Sequence, residues 1–423
     1  MFKRFWLLGL TALVLIGLLV ACGSNYNSSS DGLLLVGSQG SGLIETFSFS
    51  LNNGHISAIA NTPNDTSNDT CVLNGLPSSL VIVPGGSYAY AIINALPSCS
   101  TGSTPSVTGI ATLMVSSDGN ITQQGSLLTT DTNPVSLTMD PAGKFLFVAE
   151  GTQGLVNVYA IGSSGSLTSV TPTYNFTNGP AFRTPNITAV AATPTIFPAI
   201  GVNGTQNSVC STPGNAPPTG EFLYAVDTEN YVLWEFSVDT TSGALGNPPN
   251  TTQVARVATD QVPLGVAVDP CDRFAYVSDS LTNRISGYQI CSVVQQPTCP
   301  YADGSLVPTP GSPYSLSGSA NGPGPIVVDP YGNDVYVVGT LSNTVSPFKI
   351  AQVSGSLTAF SPPTVATGSQ PTAITIRGDD NWMFISNFNS ATVSQYSIVP
   401  GSGVLTVEPV VQTDNYPWGV AVR

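Results

Sequence analysis

A short phrase that recurs seven times along the chain is the sequence feature that most restricts its fold. Each copy begins with an alternating aliphatic and aromatic strand, continues through a turn and ends on Gly-x-Leu or Gly-x-Ile. The copies start at Ile44, Ile110, Val156, Leu233, Ile285, Val345 and Val393, and their glycines are Gly54, Gly119, Gly165, Gly243, Gly304, Gly355 and Gly403. A unit that returns every roughly 45 to 80 residues predicts an array of small sheets rather than separate domains.

Two further strands precede the phrase in each repeat. The first opens on a proline and alternates apolar residues, as in residues 134–141, 263–270 and 323–330. Proline is accepted at the first position of a strand, and the Asp-Pro pair that ends these three copies predicts a turn. The second strand carries an aromatic side chain at a constant spacing from that proline, for example at Phe147 and Tyr276.

Together these strands predict an all-β protein, a seven-bladed β-propeller built from four-stranded antiparallel blades. Radial stacking buries the faces of the blades, and the aromatic side chains fill the gaps between them. The first repeat lacks an innermost strand and begins at Leu33, whereas the chain ends on an additional strand at residues 417–423. We therefore expect the C-terminal strand to close the ring, with residues 33–423 as a single domain and no open sheet edge at the junction.

The N-terminus predicts export. Lys3 and Arg4 precede an apolar run from Phe5 to Ala21, which is typical of a secretory signal and too short for a comfortable membrane span. Residues 19–23 are similar to the lipobox of bacterial lipoproteins, which implies that residues 1–21 are removed and that Cys22 carries lipid. An ordinary signal peptide that happens to contain a cysteine is the alternative. Residues 22–32 then form the lipidated cysteine and a flexible tether.

The implied location is the bacterial cell envelope, with the membrane as a partner through the lipid on Cys22. Gly23 stands where an aspartate usually marks inner-membrane retention, which favours the outer membrane or the cell surface. The net charge is −14, from 10 basic and 24 acidic residues. So few cations leave no basic patch, and nucleic acid is not expected as a partner. An envelope protein or a glycan is expected instead, bound by a monomer.

Cysteine usage agrees with export, because six cysteines remain after Cys22. An even number of cysteines in an exported chain predicts disulfides. Their places on the blade map suggest the pairs Cys71–Cys99, Cys210–Cys271 and Cys291–Cys299. Zinc is the alternative, but the chain has no Cys-x-x-Cys and its single histidine, His55, is remote from the cysteines.

Residues 145–161 and 335–348 resemble the YVTN-type repeat. With the trailing Ser-Gly-Ser-Leu, they resemble more closely the lactonase-type seven-bladed propeller family that includes 6-phosphogluconolactonase-like proteins. The resemblance covers nearly all of residues 33–423. It implies a propeller with a ligand pocket at the channel mouth and, in some relatives, lactone chemistry. The matching residues build blades, so they specify the fold better than the activity.

Four residues end second strands on one face of the predicted ring: Glu150, Asp227, Asp279 and Asn387. A ring of carboxylates could hold Ca²⁺ or Mg²⁺ or polarise a water molecule, and no other cofactor is expected. The alternative is structural, since a polar side chain at this position caps the turn into the third strand.

Basic and aromatic residues on the same face are few. Arg183 and Arg284 are the candidate cations, and a phosphosugar would need several cations around its phosphate. Phe182 and Trp418 lie near the predicted pocket mouth and could stack on a sugar ring, although packing between blades explains them as well. A histidine that some relatives are thought to use has no counterpart here.

Two functions remain open. The first, which the missing histidine favours, is a lipid-anchored binding module that recognises its partner through its loops. The alternative is an extracytoplasmic lactone hydrolase, in which Glu150 or Asp279 acts as a general base and Arg284 or Arg183 stabilises the oxyanion.

Overall fold

The computed structural model describes residues 31–59, 75–83, 85–95, 108–130, 133–175, 183–193, 220–246, 255–292 and 302–423. Within these ranges the chain forms seven antiparallel sheets. The innermost strand of each sheet contacts the innermost strand of the next, and the last contacts the first. The sheets are therefore the blades of a closed seven-bladed propeller, as the repeat predicts.

The strands occupy equivalent positions from blade to blade, and we number them along the chain. The innermost strands are β4 (Gly75–Ile82), β9 (Pro134–Met139), β13 (Ile187–Ala192), β18 (Pro263–Val268), β23 (Pro323–Val328), β28 (Pro371–Ile376) and β33 (Pro417–Val422). The second strands are β1 (Asp31–Ser38), β5 (Tyr88–Ala95), β10 (Phe145–Glu150), β14 (Glu221–Asp227), β19 (Phe274–Asp279), β24 (Asp334–Gly339) and β29 (Trp382–Asn387). The third strands are β2 (Leu43–Ser50), β6 (Gly109–Val115), β11 (Leu155–Ile161), β15 (Val232–Val238), β20 (Arg284–Ile290), β25 (Thr344–Ile350) and β30 (Thr392–Val399).

The outer strand is single in the first and third blades and divided elsewhere. The single strands are β3 (Ile56–Ala58) and β12 (Leu167–Asn175). The divided ones are β7 (Ile121–Gln123) with β8 (Leu128–Thr129), β16 (Leu245–Gly246) with β17 (Ala255–Ala258), β21 (Leu306–Pro308) with β22 (Tyr314–Ser315), β26 (Leu357–Ala359) with β27 (Val365–Ala366), and β31 (Val404–Val407) with β32 (Val411–Gln412). Both parts pair with the same third strand, so the four-layer blade is kept. Two short 3₁₀ helices, Gly151–Gln153 and Phe388–Ser390, follow second strands.

The ring closes through strands from the two ends of the chain. Strand β33 pairs antiparallel with β1, with Leu34 opposite Val422 and Val36 opposite Val420. Strand β1 pairs on its other side with β2, so β33 takes the innermost place of the first blade. The predicted closure is confirmed.

A repeated hydrogen bond joins neighbouring blades. The tyrosine hydroxyl of a second strand donates to the backbone carbonyl of the Gly-x-Leu glycine in the following blade. The pairs are Tyr90 to Gly165 at 2.8 Å, Tyr224 to Gly304 at 2.7 Å, Tyr276 to Gly355 at 2.8 Å and Tyr336 to Gly403 at 2.8 Å. At the closing seam, the Gln395 amide donates to the Gly54 carbonyl at 2.8 Å. The aromatic residues therefore anchor the blades as well as filling space.

The same glycines must be glycine for two reasons. Gly355 has φ +70°, and a Cβ atom there would lie 2.4 Å from the Phe274 ring of the preceding blade. Gly165 and Gly304 have φ +77° and +80°, and each faces an aromatic ring of the preceding blade in the same way. Only glycine combines this backbone conformation with so close an approach.

The turns place side chains on two faces. We call the face that carries the turns between second and third strands, and the segments leading into the innermost strands, the upper face. The lower face carries the turns between innermost and second strands, including Asp140, Asp269 and Asp329. Toward its lower end the central channel holds a cavity of about 200 Å³, whose wall includes Val190, Val266 and Val327. Thr138 is the one polar residue of that wall, so this cavity offers no acid or base.

No helix among the described residues is long and apolar enough to cross a membrane. The predicted signal peptide, Cys22 and most of the tether lie outside the described residues.

We predict that Gly355→Ala destabilises the protein more than Gly125→Ala does. Both glycines have positive φ, +70° and +67°, but no atom lies within 4 Å of a Cβ atom at Gly125. The backbone conformation alone costs an alanine about 1–2 kcal/mol, and the clash with Phe274 adds about 1–3 kcal/mol. Urea unfolding of the two variants measures the difference, and equal losses would contradict the proposed role of this seam.

Candidate functional site

The four predicted strand-end residues occupy one structural position on the upper face. Glu150, Asp227, Asp279 and Asn387 end β10, β14, β19 and β29, and all four are completely buried. Each is hydrogen-bonded to the side chain seven residues later, on the third strand of its own blade: Asn157, Trp234, Ser286 and Ser394. The structure thus confirms the equivalence of the positions and shows that their environments differ.

Both oxygens of Glu150 accept hydrogen bonds. The Asn133 backbone N–H donates to Oε2 at 3.2 Å, and the Asn157 amide donates to Oε1 at 3.1 Å. The carboxylate therefore ties the segment leading into β9 to the second and third strands. This arrangement matches the capping alternative.

Asp227 accepts more hydrogen bonds than Glu150 does. Its Oδ1 accepts from the backbone N–H groups of Asn186, Glu229 and Asn230 at 3.1 to 3.2 Å. Its Oδ2 accepts from the Asn230 amide at 2.7 Å and from the Trp234 indole N–H at 3.2 Å. A carboxylate that accepts this many hydrogen bonds in a buried site organises the loop around it.

Asp279 differs from both. Its Oδ2 accepts from the Ser286 hydroxyl at 2.7 Å, whereas its Oδ1 has no hydrogen-bond partner among the described residues. Burial raises the pKa of this carboxyl to about 7, although the Ser286 hydrogen bond acts in the opposite direction. A carboxyl with one unengaged oxygen and a pKa near neutrality has the properties of a general base.

Arg284 lies beside Asp279, because the two residues are directly opposite on β19 and β20. Its guanidinium pairs with Asp260 at 3.2 Å, and its side chain is 46 % exposed. The Asp260 backbone N–H donates to the Ser286 hydroxyl oxygen at 3.2 Å. Asp279, Ser286, Asp260 and Arg284 therefore form one connected polar group, which we call the blade-five cluster.

Arg183 lies elsewhere on the upper face. Its guanidinium pairs with Glu229 at 2.8 Å, and its side chain is 77 % exposed. It belongs to the segment leading into β13 in the fourth blade, one blade away from the blade-five cluster. Of the two predicted arginines, Arg284 is the one placed next to a strand-end carboxyl.

Aromatic residues collect at the closing seam of the same face. The Trp418 ring meets Phe388 edge-on at 5.4 Å between centroids, and Phe388 stacks on Tyr416 at 4.8 Å. Trp418 is 38 % exposed. Part of its ring therefore packs within the propeller while the rest remains available to a ligand. Phe182 lies outside the described residues.

In the last blade, Asn387 donates through its amide to the hydroxyls of Thr392 and Ser394 at 3.1 and 2.9 Å. Its Oδ1 accepts no hydrogen bond from the described part of the chain. It carries no charge and so cannot act as the base.

Glu45 is a partly buried carboxyl that the sequence analysis missed. Its Oε2 accepts from the Ser38 hydroxyl at 2.5 Å, and the Asp414 backbone N–H donates to both of its oxygens at 3.0 to 3.1 Å. Burial raises its pKa to about 7. The signal was its spacing, because Glu45 follows the strand-end residue Ser38 by seven positions, as Ser286 follows Asp279.

Cys271 and Cys291 are both buried and both disulfide-bonded. Cys71, Cys99, Cys210 and Cys299 lie outside the described residues, so the three pairings stay predictions. Among the residues that the structure does describe, no group of three or more His, Cys, Asp or Glu side chains is placed to hold a metal ion.

Solved structures share this architecture. A putative 6-phosphogluconolactonase from Bacteroides fragilis is 18 % identical, with a TM-score of 0.69 over 94 % of this chain and 99 % of that one. The periplasmic gluconolactonase PpgL of Pseudomonas aeruginosa is also 18 % identical, with a TM-score of 0.68 over 93 % and 99 % of the two chains. At this identity the likeness shows the fold alone. No curated protein sequence matches the chain significantly.

The family comparison is more specific. The model of the family described as "Lactonase, 7-bladed beta-propeller" matches residues 34–422. This span runs from the first strand of the ring to the last residue of its closing strand. The chain therefore belongs to the seven-bladed β-propeller lactonase family.

Proposed function

We propose that the protein hydrolyses a lactone at the upper face of the propeller, with the blade-five cluster as its catalytic group. Family membership supports this activity over the binding module that the sequence favoured, as do neighbours named as gluconolactonases. The observation that carries the proposal is the unengaged Oδ1 of Asp279, on a carboxyl whose pKa is raised to about 7 beside an arginine.

The reaction needs a base, a water molecule and a cation. Asp279 Oδ1 takes a proton from the water as the water oxygen bonds to the lactone carbonyl carbon. The Arg284 guanidinium stabilises the negative charge that develops on the carbonyl oxygen. The ring C–O bond then breaks, the ring oxygen takes up the proton, and a hydroxy acid leaves. Asp279 has no exposed surface, so the mechanism requires the loops over the fifth blade to admit a water molecule to its free oxygen.

The charges favour an uncharged sugar lactone over a phosphorylated one. Arg284 and Arg183 are each already paired with a carboxylate, Asp260 and Glu229. A phosphate group needs several free donors and cations, and the net charge of −14 opposes a dianion. The exposed part of the Trp418 ring offers a surface on which a neutral sugar ring can stack.

We further propose an envelope location for this reaction. The apolar N-terminal run and the Leu-Val-Ala-Cys-Gly sequence at residues 19–23 support export and a lipid anchor on Cys22. In this setting the protein would act on lactones outside the cytoplasm.

Loss of membrane association in Cys22→Ser, measured by fractionation, tests the anchor.

The activity is tested with purified protein on glucono-1,5-lactone, its 6-phosphate and an acyl homoserine lactone, followed by acid release. We expect turnover of glucono-1,5-lactone above buffer, and a loss of at least 100-fold in Asp279→Asn because general-base catalysis contributes about 10²–10⁴-fold. Arg256→Gln serves as a control, because Arg256 lies over the Trp234 ring on the outer strand β17. No turnover by folded protein on any of these lactones would leave the binding module as the better hypothesis.

The activity should rise with pH through the pKa of Asp279. The base works only when it is deprotonated, so kcat/KM is expected to increase between pH 6 and 8 with an inflection near the Asp279 pKa of about 7. Rates corrected for spontaneous hydrolysis at each pH measure this profile. The same inflection in Asp279→Asn would remove Asp279 from the mechanism.

The same carboxyl should affect stability in the opposite sense. Because its pKa is raised in the folded state, folding takes up a proton, and this stabilisation is lost as pH rises toward 7. The unfolding free energy of the native protein should therefore decrease between pH 4 and 7. In Asp279→Asn this decrease should be smaller, by up to about 1.4 kcal/mol per pH unit. Urea unfolding against pH measures it, with exposed Asp118→Asn as the control.

A further inference from the structure

One seam of the propeller departs from a pattern that five other seams share. At five seams, the first or second residue of a second strand is an aromatic that packs on the Gly-x-Leu glycine of the next blade. The pairs are Tyr88 on Gly165, Phe145 on Gly243, Phe222 on Gly304, Phe274 on Gly355 and Trp382 on Gly54. Between the sixth and seventh blades, Asp334 takes the aromatic position and faces Gly403. The fold does not require this aspartate, and such departures from a repeat are expected at functional sites.

The missing aromatic ring coincides with a cavity. A space of about 300 Å³ opens beside this seam toward the lower face, with Tyr331, Asp334, Asp379 and Asp380 in its wall. It shares no residue with the blade-five cluster on the upper face. We call it the Asp380 cavity.

Two buried carboxyl oxygens lack a donor, and one of them belongs to Asp380 in the wall of this cavity. Asp380 is 7 % exposed and its Oδ1 accepts no hydrogen bond, while Asp329 is fully buried and its Oδ2 accepts none within the described ranges. The two carboxyl groups are within hydrogen-bonding reach of each other. Since neither can donate when ionised, the pair needs a proton or an external cation between or beside its oxygens.

The charges around the cavity are not balanced. Lys349 pairs with Asp334 at 3.0 Å, and Arg377 pairs with Asp379. Within the described ranges, Asp329 and Asp380 form no ion pair of their own, although the Lys349 charge acts on Asp329 from a distance. Burial is the main cause that raises the pKa of Asp329 to about 7 and that of Asp334 to about 6. Burial and the neighbouring carboxylates together raise the pKa of Asp380 to about 8. The site therefore favours binding of a positively charged group.

The lining indicates which kind of cation fits. The described carboxyl groups are not arranged to hold a metal ion, and the cavity is much larger than a bare ion. Tyr331, 36 % exposed, contributes an aromatic ring to the wall. A carboxylate group beside an aromatic face is the environment in which proteins bind ammonium groups.

We propose that the Asp380 cavity binds a small organic ammonium ion, with the ammonium group on Asp380, whose carboxyl neighbours Asp329, and the carbon chain against Tyr331. The proposal is independent of lactone hydrolysis, because its residues lie on the other face of the ring.

Isothermal titration calorimetry of the purified protein at pH 8 tests it, with n-butylammonium chloride as the probe. We expect saturable binding at one site, with butan-1-ol, its uncharged counterpart, bound at least tenfold more weakly. Affinity should fall at least tenfold from pH 8 to pH 6, because Asp329, Asp334 and Asp380 take up protons while the amine stays charged. Proton release on binding, seen as a dependence of the heat on the buffer, is a second expected result.

Two variants locate the binding. Asp334→Phe introduces the aromatic found at five other seams and fills the cavity, and Asp380→Asn removes the charge without changing the volume; each should weaken n-butylammonium binding at least tenfold. Asp118→Asn removes an equal charge from an exposed turn and should leave binding unchanged. Thermal unfolding confirms that each variant is folded, and lactone hydrolysis should not change in any of them.

Several results would overturn the proposal. Absence of saturable heat at pH 8 would mean that a proton alone satisfies the carboxyl pair. Equal binding of butan-1-ol, or unchanged binding in folded Asp380→Asn, would mean that the ammonium group is not recognised at this cavity. Binding of calcium chloride that excludes n-butylammonium would assign the site to a metal ion instead.

Discussion

The hydrogen bond between a second-strand tyrosine and the Gly-x-Leu carbonyl of the next blade holds four of the seven seams of the ring together. It joins residues 67 to 80 positions apart, and it forms only when two blades are correctly seated. In a buried, low-dielectric seam such a bond is strong, and leaving its carbonyl unpaired would be costly. The glycine combines a positive φ with the absence of a Cβ atom, which lets an aromatic ring of the neighbouring blade approach its backbone closely. One short motif therefore serves both the turn within a blade and the joint between blades.

The architecture could be predicted because its information is local and repeated. Proline at the start of β18 and β23, alternation along each strand and the additional strand at residues 417–422 all follow from neighbouring residues. The environment of each strand-end residue could not be predicted from the sequence, because it depends on hydrogen-bond donors that are distant in sequence. Glu150 is engaged by Asn133 and Asp227 by Asn186, 17 and 41 residues away. In the fifth blade the Asp260 N–H donates to Ser286 instead, and Oδ1 of Asp279 accepts no hydrogen bond from the described residues. Equivalent positions in a repeat share a backbone place and differ in the loops that cover them.

Both proposed sites arise where one blade differs from its siblings. In the fifth blade, a strand-end carboxyl keeps a free oxygen beside Arg284; at the sixth seam, Asp334 replaces an aromatic ring. In other blades the strand-end residue caps a loop, and the aromatic residue at the start of the second strand fills the gap between blades. The repeat thus supplies internal controls, since a substitution toward the sibling residue should remove function while preserving the fold.

Closure by β33 has a consequence for how the chain folds. The partners β1 and β33 lie at opposite ends of the sequence, so the first blade cannot be completed until the last strand has been made. Until then β1 presents an unpaired edge, and the first and seventh blades lack their shared seam. Contacts of such sequence separation slow folding and prolong the exposure of strand edges to other chains. A chain made from its N-terminus therefore passes through a long interval in which it is an open arc, and protection from aggregation during that interval is a requirement of this topology.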